Sequence, residues 1–216
     1  MADLPKDYLK FFKDLSKNNH KDWFQENKKR YVSEVREPMI ALVKEVSELM
    51  QKRDPEMKVI PAKCLSRINR DIRFSKDKTP YNIHMHAHIS KGSKEDPIPG
   101  IAFRFGPEYA GIMGGFYNPN KERLLALRQT IASDLKTFQK LVKNKKFVDK
   151  FGTIQGDALK RIPKEFQEVY EKEPLIANKQ FYYVKKLKPS FANEKNLAKT
   201  IVDYWLAAKP INEFLS

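Results

Sequence analysis

The chain has 216 residues, 41% hydrophobic and 12% aromatic, with 42 Lys and Arg against 27 Asp and Glu. Enough apolar surface is present to build a core, so disorder is not the expected state, and the net charge of +15 makes attraction to nucleic acid or other polyanions physically plausible. No apolar run reaches the roughly 18–20 residues of a membrane helix, residues 1–17 lack a signal-peptide pattern, and the lone Cys64 forms no internal disulfide, so a cytoplasmic protein without a membrane partner is expected.

Leu4, Tyr8, Phe11, Phe12 and Leu15 follow helical spacing and predict a first helix, broken by polar residues 16–20. Asp22 with Gln25 three positions on reads as a capping box for a second helix, with Trp23, Phe24, Asn27 and Tyr31 on its inner side. Pro38 either kinks that helix or begins a new one, whose stripe is Met39, Leu42, Val43, Val46, Leu49 and Met50. From Cys64 to Tyr117 the period changes to two. Ile68, Arg70, Ile72 and Phe74 would share one strand face, and Arg67, Asn69, Asp71 and Arg73 the other. Ile83, Met85, Ala87 and Ile89 then alternate with His84, His86, His88 and Ser90, and a hairpin-like loop at 91–100 leads to strands at 101–105 and 109–117. Gly111, Gly114 and Gly115 mark bulges or close backbone approach. Helices return with Asn118 as cap and Pro119 in the first turn, carrying Leu124, Leu127, Arg128, Ile131 and Leu135, then Phe138, Leu141 and Val142. Residues 181–184 make one more strand, and a last helix buries Leu197, Ile201, Tyr204, Trp205 and Ala208 until Pro210 stops it. Short non-helical loops between strands imply antiparallel pairing. The expected fold is α+β, one domain over residues 1–216: an antiparallel sheet of about five strands packed with N-terminal, central and C-terminal helices.

The chemistry concentrates in residues 67–81. Three of the chain's ten arginines, Arg67, Arg70 and Arg73, fall within seven positions there, whereas the remaining positive charge is mostly lysine. A guanidinium can grip a phosphate or carboxylate with two parallel bonds, so the local switch to arginine suggests a geometric need. On a regular strand, Asp71 would orient Arg67 and Arg73 beside Asn69, and the following Ser75, Lys76, Asp77 and Lys78 would add donors for an anion. Tyr81 would add a donor or a stacking ring, and Tyr117 and Asn118, just before a helix start, would extend the same pocket. The competing reading is an internal salt-bridge network that consumes these groups. If the protein is an enzyme, Asp71 or Asp77 would act as general base, although no nucleophile pair, metal cluster or cofactor fingerprint names a reaction or a cofactor. Alternate histidines His84, His86 and His88 could share a metal, but without an acidic companion in the strand they read better as surface or supporting residues, and no metal is expected. A small anionic ligand is the expected partner; a nucleic-acid-associated basic module is the alternative, disfavoured because the lysines are spread rather than striped with aromatics.

Residues 11–31 (FFKDLSKNNHKDWFQENKKRY), 67–81 (RINRDIRFSKDKTPY) and 114–119 (GGFYNP), supported by Phe181-Tyr182-Tyr183 and the end of the chain, resemble the conserved family catalogued as domain of unknown function 2461. The resemblance spans almost the whole chain and implies no particular activity or cofactor. It implies a polar residue near His84 rather than a triplet, which weighs against a metal.

Overall fold

The computed structural model describes residues 3–92 and 98–216, so the expected loop at 91–100 lies partly outside the described residues. In chain order the elements are α1 (Asp7–Lys17), α2 (Lys21–Glu26), α3 (Lys28–Tyr31), α4 (Glu37–Gln51), α5 (Pro61–Cys64), β1 (Met85–Ile89), β2 (Ile101–Phe105) and β3 (Ala110–Phe116). There follow α6 (Lys121–Ser133), α7 (Leu135–Val142), α8 (Lys145–Phe151), α9 (Gln167–Lys172), β4 (Phe181–Leu187) and α10 (Leu197–Phe214). The fold is α+β, with an antiparallel sheet in the order β1–β2–β3–β4. Among the described residues it has four strands rather than five. The missing one is the alternating segment at 65–74, which among the described residues forms isolated bridges, Leu65 with Ala87 and Asn69 with Tyr81, and no strand.

By contact the chain divides into two compact units. The first comprises Met1–Lys91, Ala102–Ile112 and Lys186–Asp203. Its core is the face of α1 carrying Tyr8, Phe11, Phe12 and Leu15, the α4 stripe of Met39, Leu42, Val43 and Val46, and Phe103 and Phe105 of β2. Tyr8 meets both Phe12 and Phe105 edge-on, a favoured arrangement for aromatic quadrupoles. His20, not Asp22, caps α2: its Nδ1 accepts the Trp23 N–H at 3.4 Å, because Asp22 already lies inside the helix. A π-helical turn, Val32–Arg36, joins α3 to α4 and brings Pro38 into the first turn of α4, where its lacking N–H costs no bond.

The second unit comprises Gly92–Ile101, Met113–Lys185 and Tyr204–Ser216. Here the cap of α6 is Asn120, which accepts the Arg123 N–H at 2.8 Å, two residues later than Asn118. Arg128 is buried and donates to the carbonyls of Ile176 (2.9 Å) and Asn178 (3.0 Å), tying α6 to the turn before β4. Tyr183 and Asn212 form a buried polar pair: the phenol donates to Asn212 Oδ1 at 3.0 Å, and Asn212 Nδ2 donates to Gly100 O at 3.1 Å. Gly114 makes room for it, since a Cβ there would lie 2.2 Å from the Tyr183 hydroxyl and 2.7 Å from Gly100 O. α10 continues through Pro210 instead of stopping there. The carbonyl left without a helical donor belongs to Leu206, an exposed residue that water can serve. Among the described residues, no helix is long and apolar enough to cross a membrane.

Candidate functional site

The segment after α5 leaves the sheet region as a loop whose two limbs are laced at the base. Arg70 N–H bonds Pro80 O at 2.8 Å and Asn82 N–H bonds Ile68 O at 2.7 Å. Tyr81 anchors the return limb. Its ring is stacked on Phe24 with centroids 4.1 Å apart, and its backbone exchanges two hydrogen bonds with the Asn19 side chain, at 2.9 and 3.1 Å. At 5% exposure the Tyr81 ring is part of the core of the first unit.

Asp71 and Asp77 explain why this stretch is a loop and not a strand. Each carboxylate accepts the backbone N–H two residues on, Arg73 at 3.2 Å and Thr79 at 2.9 Å. Such Asx turns take donors that a strand ladder would need. Lys78 Nζ further binds Ile72 O at 3.0 Å, closing the tip on itself.

The three arginines have different surroundings. Arg70, with a side chain 23% exposed, is the hub: its Nη1 meets Asp77 Oδ2 at 2.5 Å, Thr79 O at 3.0 Å and the Thr79 hydroxyl, while Nη2 reaches Ser75 Oγ at 3.4 Å. Arg73 is 76% exposed and lies against Asp71 through Nε (3.0 Å) and Nη2 (2.7 Å). That leaves its Nη1 edge open. Arg67 is exposed, and neither its side chain nor that of Lys76 has a hydrogen bond or ion pair among the described residues. Asn69 is also exposed and Ser75 half-buried.

Donors hold both carboxylates below the usual range. For Asp71 the cause is chiefly the Arg73 side chain, then its backbone N–H, with the nearby charge of Arg67 adding to it. For Asp77 the cause is the Thr79 N–H and hydroxyl, then Arg70. A carboxylate so stabilised as the anion is a weak base at neutral pH, so the loop is suited to holding charge rather than moving protons.

Phe74 was not among the sequence candidates. The alternating pattern places it on an apolar strand face, yet it is 94% exposed at the loop tip, with the Arg73 guanidinium 5.8 Å from its ring centre. The sequence signal that could have found it is the pair of aspartates, each two residues before a bonded N–H, which mark a turn around it.

Tyr117 and Asn118 belong to the second unit, where both are exposed and Tyr117 meets Tyr182 edge-on at 5.1 Å. Arg104, in the first unit, binds the Tyr109 hydroxyl at 2.5 Å and Glu108 at 3.3 Å. Among the described residues no three His, Cys, Asp or Glu side chains come together to hold a metal. Burial instead drives the imidazoles of His84 and His86 down to about 4, helped by the charge of Arg104, so both are neutral at pH 7. Grooves of about 420 and 600 Å³ run along α4, lined by residues such as Lys44, Glu48, Gln51 and Ile60; no residue of the arginine loop lines either.

The family model described as Conserved hypothetical protein (DUF2461) matches residues 7–214, and the chain belongs to that family. No curated protein and no solved structure matches it.

Proposed function

We propose that this family member is an anion-binding protein whose recognition element is the arginine loop, presented as a rigid projection and not as a closed pocket. What carries the reading is the division of labour among like residues. Arg70 satisfies the loop from inside, while Arg67, Lys76 and one edge of Arg73 stand in solvent with donors to spare. Exposed cations on a floppy loop would lose much of their gain to ordering both backbone and side chain; on a loop already bonded at both base and tip the backbone share of that cost is spared. Phosphate is the preferred class, since it accepts from several directions at once and matches a guanidinium edge.

Titration with inorganic phosphate and pyrophosphate tests this, followed by calorimetry and by thermal unfolding. Arg73→Lys keeps the charge and removes the fork, so affinity should fall by about tenfold, the worth of one charge-assisted bond. The melting temperature should not move, because Arg73 is largely in solvent. Unchanged affinity in the variant, or no binding by the parent protein, defeats the proposal.

A further inference from the structure

We infer that the loop binds single-stranded nucleic acid, with Phe74 as a stacking platform for a base and Arg67, Arg73 and Lys76 on the flanking phosphates. The inference rests on the anion-binding reading and names its ligand class.

A single exposed apolar side chain on a protein surface is ordinary and needs no explanation. Phe74 differs in three respects. At 94% it is the most exposed of the large hydrophobic side chains described. Its backbone is not frayed: Ser75 N–H bonds Ile72 O at 3.3 Å, Asp71 fixes Arg73, and Arg70 ties the far side of the turn. The ring is therefore held out in water by a structured turn, at a standing hydrophobic cost that a ligand would remove. The third respect is the company it keeps. Arg73 lies over the ring, and residues 67–78 carry five basic side chains against two acidic ones, both acids already engaged by arginine.

A flat ring beside a planar guanidinium, with ammonium and guanidinium groups a few residues to either side, matches a ligand that repeats bases and phosphates in alternation. Stacking on an aromatic face is indifferent to base identity, while the cations follow the backbone. Two other ligand classes fit less well. A free nucleotide would touch a projecting loop on one side only, and no loop residue lines the grooves described. A membrane surface calls for several apolar residues on one face, and here one phenylalanine stands among ionised aspartates. Duplex nucleic acid keeps its bases stacked inside and offers Phe74 no free face.

The test uses the full chain, fluorescently labelled oligothymidylate and oligouridylate, and a strand of equal length with abasic residues in place of the bases. Binding of either base-bearing strand, tighter than the abasic strand by roughly fivefold to a hundredfold, is expected from one stacked base. Phe74→Ala should erase that difference and leave abasic binding intact, while Phe74→Trp should preserve it. Equal binding of base-bearing and abasic strands, with no effect of Phe74→Ala, overturns the stacking inference but leaves the anion-binding loop standing. No binding of any strand, together with no response to pyrophosphate, overturns both. Phe74-dependent attachment to anionic phospholipid vesicles, without base-dependent strand binding, also overturns it.

Discussion

Arg70, Arg73 and Phe74 lie within five positions and are assigned by geometry to three separate tasks: internal tie, exposed fork and projecting ring. The tie is testable by itself. Arg70→Met removes the partner of Asp77, Thr79 and Ser75, and should speed amide exchange in residues 71–79. The melting temperature should fall only slightly, since about 1 kcal/mol corresponds to some 2–4 °C in a chain of this size. A large fall would mean that the loop supports the core. The histidines supply a pH test. His84 and His86 titrate near 4 when folded and near the ordinary value of about 6.5 when unfolded. Between those values the unfolded chain binds more protons, so stability is full above pH 6.5 and declines as pH falls toward 4. The urea midpoint should accordingly be lower at pH 5 than at pH 7, and the double variant His84→Gln, His86→Gln should flatten that dependence. None of these roles was legible from residue type. Three arginines in seven positions suggested a candidate site, but which of them faces inward depends on contacts seven and nine residues away, from Arg70 to Asp77 and Thr79.

At the level of elements, the helical stripes and the strands β1 to β4 follow from apolar periodicity, and the exceptions share a cause. At 67–74 the period of two is present, but Asp71 and Asp77 capture backbone donors and the ladder fails after Asn69. At Pro210 a residue that normally ends a helix is tolerated, because Ile211 and Leu215 still bury their side chains beyond it. In both places a local bond or a tertiary burial outweighs a pattern. Gly114 gives the element-scale prediction. Its replacement by Ala forces a methyl group onto the Tyr183 hydroxyl and the Gly100 carbonyl, and should cost about 1–3 kcal/mol in urea unfolding. Tyr183→Phe, which leaves the buried Asn212 Oδ1 without that donor, should cost about 1–3 kcal/mol. Equal stability of Gly114→Ala and parent would show that β3 can shift to admit the methyl group.

For the whole molecule, the +15 charge and the loop make different demands on the same titration. If Arg67, Arg73 and Lys76 are the phosphate contacts, three cations at about 0.7 each give a slope near −2 in log K against log salt for a single strand. A much steeper slope would mean that binding is spread over the lysine-rich surface, with the loop incidental. Charge alone draws polyanions close from any side; only a fixed constellation makes one place on the surface prefer one ligand.

The order of letters by itself determined the class of fold, the positions of the helical stripes, the family and the neighbourhood of the candidate site, because each of these depends on local periodicity or on a contiguous motif. Folding in three dimensions decided which arginine turned inward, that Tyr81 became an anchor stacked on Phe24, and that Phe74 was thrust into water. The Tyr81 anchor rests on contacts up to 62 positions apart, such as Asn19 with Tyr81, which no window along the chain contains. The inward turn of Arg70 and the exposure of Phe74 rest instead on bonds two to nine residues apart, whose pairing residue type alone does not reveal.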